Sequence, residues 1–266
     1  MMSARMSTLA TLRSRIAHIE AHGGACASDR VALGHAEVDA VLNGGLARAV
    51  VHEVFAEAGR HCAVTTGFVI GLAARLTARR PLVWVRQDFS EVEAGALSMS
   101  GFCEFGLDPR CLVTVRAFDV ESALRTAADA LACDALGAVV LEVWGGARQL
   151  DLVASRKLTL AAQASGVTAL LLRLATEPSP STAETRWIVR AAHSPPKAQW
   201  NAWGAPCFDA QLVRNRHGPT GRWIMEWNCD ERFFVEPSSA DSQSLAAVPA
   251  HRSHQAQARE QQRQAG

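Results

Sequence analysis

The chain has 266 residues, 48% of them hydrophobic and 20% charged, a balance ordinary for globular proteins that excludes a disordered, collagenous or membrane-embedded chain as a whole. Lysine and arginine number 27 against 26 aspartates and glutamates, for a formal net charge of +1, so no global field marks out a nucleic acid, an acidic partner or an anionic membrane. The seven cysteines are scattered with no C-x-x-C pair and read as reduced, mostly buried thiols; the apolar runs at 136–144 and 167–174 are too short to span a bilayer, which points to the cytoplasm.

Residues 3–21 place Met6, Leu9, Leu12, Ile16 and Ile19 on one stripe at spacings of three and four, with Arg5, Arg13, Arg15 and His18 between them. That is an amphipathic helix, occupying an N-terminal unit 1–24 and ended by Gly23 and Gly24. It docks on its own domain or in a partner's groove. The main domain, 25–236, opens with a short helix at 35–42 and Gly44-Gly45, then a strand-like run from Ala49 to Phe55. Helices are expected at about 64–79, 91–100, 119–133 and 148–165. They alternate with strands at Leu82–Val85, Cys111–Val115, Ala138–Val143 and Val167–Leu174. Near-continuous apolar strands of this kind are buried on both faces, and strict alternation with helices implies an α/β fold with a mainly parallel sheet flanked by helices.

After Pro178 and Pro180 the pattern changes to shorter strands around Trp187–Val189, Phe208–Val213 and Trp223–Trp227, with a turn-rich insert at 215–221. This reads as an antiparallel C-terminal extension of the sheet. Residues 237–266 carry no aromatic and few large aliphatic side chains, a composition expected to leave a disordered tail.

In an open parallel sheet a nucleotide phosphate sits beyond the carboxyl ends of the strands, here at the loop after Phe55. A phosphate loop needs glycines for close amide approach, a lysine for the outer phosphates and a Ser or Thr for magnesium. Residues 56–66 offer Gly59, Arg60, Thr65 and Thr66, with one glycine and no lysine. The two lysines of the whole chain, Lys157 and Lys197, lie far away. Arg60 suits phosphate, yet Glu57 brings a negative charge to the same mouth. Glu142, near the end of a buried strand, fits a metal-holding carboxylate or a structural hydrogen-bond acceptor, and without a phosphate loop the structural role is favoured. Asp88, just past the second strand, is a comparable candidate for a water-orienting carboxylate, with the same structural alternative.

Asp39–Arg48 with Val51–Phe55, Thr66-Gly67-Phe68, Gly106–Arg110, the strand Ala138–Glu142, and Leu212–Gly218 followed by Thr220–Trp223 together resemble the ImuA family, RecA/SulA-related proteins of bacterial damage-inducible mutagenesis operons. The resemblance covers about residues 5–230. It implies a RecA-like core and an accessory role in SOS-induced translesion DNA synthesis, beside an ImuB-like Y-family protein and an error-prone polymerase subunit, with a RecA filament or DNA as further candidate partners. It also implies association rather than catalysis, because the Gly-rich loop of RecA is replaced, the Walker-B-like strand carries Glu142 in place of Asp, and Arg86 stands where an acidic residue is expected. No cofactor is expected. An active RecA-like ATPase using Arg60 and Glu142, or a SulA-like inhibitor of cell division, are the alternatives.

His52-Glu53 looks like half of a zinc-protease helix, but position 56 is Ala, so the second ligand is missing and the segment reads as strand. No G-x-S-x-G elbow occurs. Arg214, Arg216, His217 and Arg222 concentrate positive charge beside Trp223 and Trp227, the makings of a DNA or partner contact, or equally of a solvated hairpin tip over core tryptophans. Trp200 and Trp203 are either interface anchors or packing.

Overall fold

The computed structural model describes residues 29–56, 61–196 and 204–237. The expected N-terminal helix, Gly59 and Arg60 of the phosphate-loop position, Trp200 and Trp203, and the tail beyond Pro237 lie outside the described residues.

Nine strands form one sheet in the order β11-β10-β9-β8-β3-β7-β6-β4-β5. Its parallel part consists of β3 (Val51–Ala56), β4 (Leu82–Gln87), β5 (Leu112–Ala117), β6 (Ala138–Trp144), β7 (Thr168–Leu174) and β8 (Thr185–Ala191). The strands β9 (Cys207–Asn215), β10 (Gly221–Asn228) and β11 (Phe233–Val235) continue it antiparallel. A two-stranded ribbon of β1 (Arg30–Val31) and β2 (Leu46–Ala47) precedes it.

The helices are α1 (Ala36–Val41), α2 (Cys62–Thr77), α3 (Asp88–Ala94), α4 (Met99–Glu104), α5 (Val120–Leu131) and α6 (Leu152–Ser165). Strand alternation sends Val83, Val85, Val139, Leu141 and Leu171 to the α5–α6 side, and Trp84, Val140, Leu170 and Leu172 to the side covered by α1, α2 and α4. Both faces of the central strands are therefore buried, as their continuous apolar character requires. Helix α5 starts on a capping box between Asp119 and Ser122, and α6 starts on Asp151 and stops at Gly166, whose φ of 78° ends the helix in the left-handed region.

The α/β architecture with its antiparallel C-terminal strands follows the sequence expectation, with four local differences. The first of the late strands, β8, is parallel to β3, so the antiparallel part begins only at β9. The single helix expected at 91–100 is two, because Gly95 at φ 80° stops α3 and the Ser98 hydroxyl caps α4 by accepting from Gly101 N–H at 3.2 Å. The run from Ala49 becomes strand only at Val51, Ala49 itself having φ 58°. The cysteines are not mostly buried: among the described residues Cys62 and Cys207 are, whereas Cys103, Cys133 and Cys229 are exposed.

Helix α2 is enclosed along most of its length, with Phe68, Val69, Leu72, Ala73 and Leu76 all buried. Gly71 makes this possible: a Cβ there would stand 2.7 Å from Phe234 Cζ and 3.2 Å from Trp227 Cε3. The absent side chain lets the helix axis approach the antiparallel strands.

His52 is fully buried and keeps one tautomer. Its Nε2 lies 2.8 Å from the Ala47 carbonyl, which only accepts, so Nε2 carries the proton. Its Nδ1, 2.8 Å from Thr185 Oγ1, therefore accepts from that hydroxyl, which itself accepts from Trp187 Nε1 at 3.1 Å. Burial lowers the His52 pKa from 6.5 to about 4. The unfolded chain thus takes up a proton between those two values that the folded chain refuses, so stability contributed by neutral His52 is complete above pH 6.5 and is lost as the pH falls to about 4. The loss is on the order of 3 kcal/mol. Urea titrations across this window should show a steeper fall of stability for the native protein than for His52→Gln; parallel curves would mean that His52 titrates normally.

Candidate functional site

The carboxyl ends of β4 and β6 and the first turns of α2 line a pocket of about 240 Å³, which residues 94–98, Phe102 and Phe105 wall on its other side. Its floor is charged. Arg86 and Glu142 are register partners on β4 and β6, and both are almost wholly buried, at 3% and 1% exposure. Arg86 Nη2 donates to Glu142 Oε1 at 3.0 Å and to the Gly95 carbonyl at 3.0 Å, while Trp84 Nε1 donates to Glu142 Oε2 at 2.8 Å. Both carboxylate oxygens are thus engaged and the charge is neutralised inside the protein. With Arg86 paired to it, the Glu142 carboxylate presents no net negative charge to a cation, which weakens the attraction on which metal binding depends.

The other candidate residues of this region are disposed as follows. Thr65 is buried and its hydroxyl donates to the His61 carbonyl of its own helix at 2.7 Å, whereas Thr66 lines the cavity. The Cys62 thiol, also on the wall, has its pKa raised by burial and by the nearby charge of Glu142, which keeps it protonated and a poor nucleophile at neutral pH. Gly67 lies 3.3 Å, measured from an added Cβ, from the Phe105 ring. Asp88 is on the surface at the start of α3, where its carboxylate accepts from Arg116 Nε at 2.8 Å. Among the described residues no group of three or more His, Cys, Asp or Glu is placed to hold a metal ion, and no helix is long and apolar enough to cross a membrane.

The structure separates the basic residues of the last hairpin. Arg214 Nη1 donates to the Ser181 carbonyl at 2.8 Å, and His217 lies 3.3 Å from Glu184 Oε1, both at the tip end of β9. Arg216 is exposed beside them. Arg222 instead grips Asp209 through Nε at 2.7 Å and Nη2 at 2.5 Å, and this pairing holds the Asp209 pKa below the usual carboxylate range. Three of the four are thereby occupied by internal partners. Trp227 is core, and Trp223, half-buried, donates its indole N–H to Glu37 at 3.0 Å.

A second buried charge group, which the sequence reading passed over, occupies the opposite face of the sheet. Glu53 Oε2 accepts from Arg186 Nε at 2.8 Å and from Ser181 Oγ at 2.9 Å. Arg173 and Arg186 both place their guanidinium carbon 5.5 Å from the Phe55 ring centre. Arg173 is 2% exposed, and its Nε and Nη1 have no hydrogen-bond partner; burial lowers its pKa against the raising influence of Glu53. Because Glu53 keeps its other partners, Arg173→Met should stabilise the protein by about 1–3 kcal/mol in urea unfolding. A loss of similar size would show that the contact with Phe55 outweighs the desolvation of the guanidinium.

No family profile matches the chain. Among curated proteins it is similar to Protein ImuA of Caulobacter vibrioides, from two strains. Each is 30% identical over 176 residues, spanning 62% of this chain and 68% of the relative.

Proposed function

The chain belongs to the ImuA family, and from that premise we propose that it is an accessory protein of SOS-induced, error-prone translesion DNA synthesis that acts in the cytoplasm by association and not by nucleotide turnover. Its partners in this reading are an ImuB-like Y-family protein and an error-prone polymerase subunit, with the RecA filament or DNA as further contacts. The observation that carries the non-catalytic part is the Arg86–Glu142 pair: the carboxylate at the Walker-B-like position of a RecA-like core is already neutralised by a buried guanidinium at 3.0 Å. The cation that would assist phosphoryl transfer then meets a site whose charge is spent. The four sequence candidates at the phosphate position, Gly59, Arg60, Thr65 and Thr66, belong to this reading as a degenerate remnant.

Co-purification tests the adaptor role: the intact chain should capture an ImuB-like protein, and so should chains lacking residues 1–24 or 237–266 if the α/β body forms the interface. Failure of the intact chain to bind would reject the role. Calorimetry with ATP and magnesium tests the rest, since micromolar binding accompanied by turnover would overthrow it.

A further inference from the structure

The amino ends of the parallel strands carry a feature of a different kind. The loops preceding β4 and β5, the C-terminal turn of α2 and the turn before β11 surround a basin of about 700 Å³ whose charged lining is Arg75, Arg79, Arg80, Arg232, Asp108 and Glu231. Asp108 is already held by Arg110, through Nη2 at 2.7 Å and Nε at 3.1 Å. Four guanidiniums therefore line the concavity against two carboxylates, one of them already paired with Arg110 outside the lining, in a chain whose formal net charge is +1.

The arginines divide into supports and free groups. Arg75 donates to the carbonyls of Ala32 at 3.0 Å and Arg232 at 3.2 Å. Arg80 donates to those of Ala135, at 3.3 Å, and Asp134. These bonds fix two guanidiniums at the rim. Among the described residues the side chains of Arg79 and Arg232 have no hydrogen bond or ion pair, and both are exposed. They also occupy left-handed backbone positions, with φ of 74° and 60°, where Gly or Asn would be less strained. Stability alone does not place arginine there.

We propose that this basin binds a nucleic-acid backbone through its phosphates, without reading sequence. Every positive group in it is arginine, whose planar fork matches phosphate oxygens two at a time. An acidic protein partner is disfavoured because, among the described residues, none of the exposed large apolar side chains lines the basin, and protein interfaces take most of their energy from buried aromatic or aliphatic anchors. The inference stands on the charge of this surface and does not need the adaptor reading; loss of partner capture and loss of DNA binding are separate results.

Fluorescence anisotropy of the full chain with labelled oligothymidylate and with a labelled duplex tests it. Binding should weaken steeply with salt. The double variant Arg79→Gln/Arg232→Gln should weaken it at least about ten-fold and reduce the log–log salt slope by about 2, with thermal unfolding unchanged because neither side chain is bonded. Arg125→Gln, on the far side at α5, should bind as the native chain does. The proposal is overturned if the native chain shows no salt-dependent binding, or if the double variant binds like the native chain. It is also overturned if polyglutamate binds in the basin and DNA does not.

Discussion

Glu142→Gln should cost the folded state about 3–5 kcal/mol, although it removes no atom of bulk and keeps an oxygen for the Trp84 N–H. The reason is the partner it leaves behind. Arg86 is 3% exposed, its Nε already has no hydrogen-bond partner, and among the described residues its only buried counter-charge is Glu142. Removing one member of a buried pair leaves an uncompensated charge in a low-dielectric interior, which is the costly half of ion-pair energetics. The double variant Arg86→Met/Glu142→Gln should recover most of that loss, because the glutamine oxygen still accepts from Trp84 and the methionine fills the volume of the arginine stem. Urea unfolding of the two single variants and the double variant closes the cycle. The same experiment separates a structural carboxylate from a functional one: residues kept for chemistry are commonly neutral or stabilising when replaced, so a cost below about 1 kcal/mol for Glu142→Gln would reopen the case for Glu142 as a working group.

The sheet was readable in the sequence because its central strands are apolar on both faces: Leu82–Val85 and Ala138–Val143 announce themselves locally. The candidate site was readable only in outline. Arg86 and Glu142 are each visible as misplaced charges in apolar strands, but that they face each other depends on β4 and β6 being neighbours, a fact of topology. The same limit explains the hairpin arginines. Arg214 and Arg222 look like one cluster along the chain, yet the register sends one to Ser181 and the other to Asp209. Conversely, Arg79 and Arg232 are far apart in sequence and meet at one basin because α2 ends beside the turn before β11. Charge clusters built by tertiary structure have no local signature; this one, built by sequence proximity, is dissolved because the register sets Arg222 beside Gln211 and Asp209 and Arg214 further along β9 beside Arg186.

Phe68→Ala is the other substitution expected to be severe, at about 3–5 kcal/mol. Phe68 is wholly buried on α2, and its ring centre lies 5.7 Å from Trp187, 5.5 Å from Phe208 and 5.3 Å from Phe234. Those three rings belong to β8, β9 and β11, so one side chain ties the crossover helix of the parallel part to the antiparallel strands. Truncation removes both the transfer energy of the ring and three aromatic contacts, and the large neighbours around it cannot collapse into the gap without leaving their own packing. An exposed aromatic gives the scale: Phe118, 88% exposed, should lose under about 0.5 kcal/mol on the same change. Beyond the size of the effect, its distribution is decisive. If Phe68 joins the two parts of the sheet, amide exchange in β9–β11 should accelerate more than in β6 and β7, because the antiparallel strands lose their anchor while the central strands keep both helical layers. Uniform acceleration across all nine strands would show instead that the sheet unfolds as one unit and that Phe68 contributes packing without coupling.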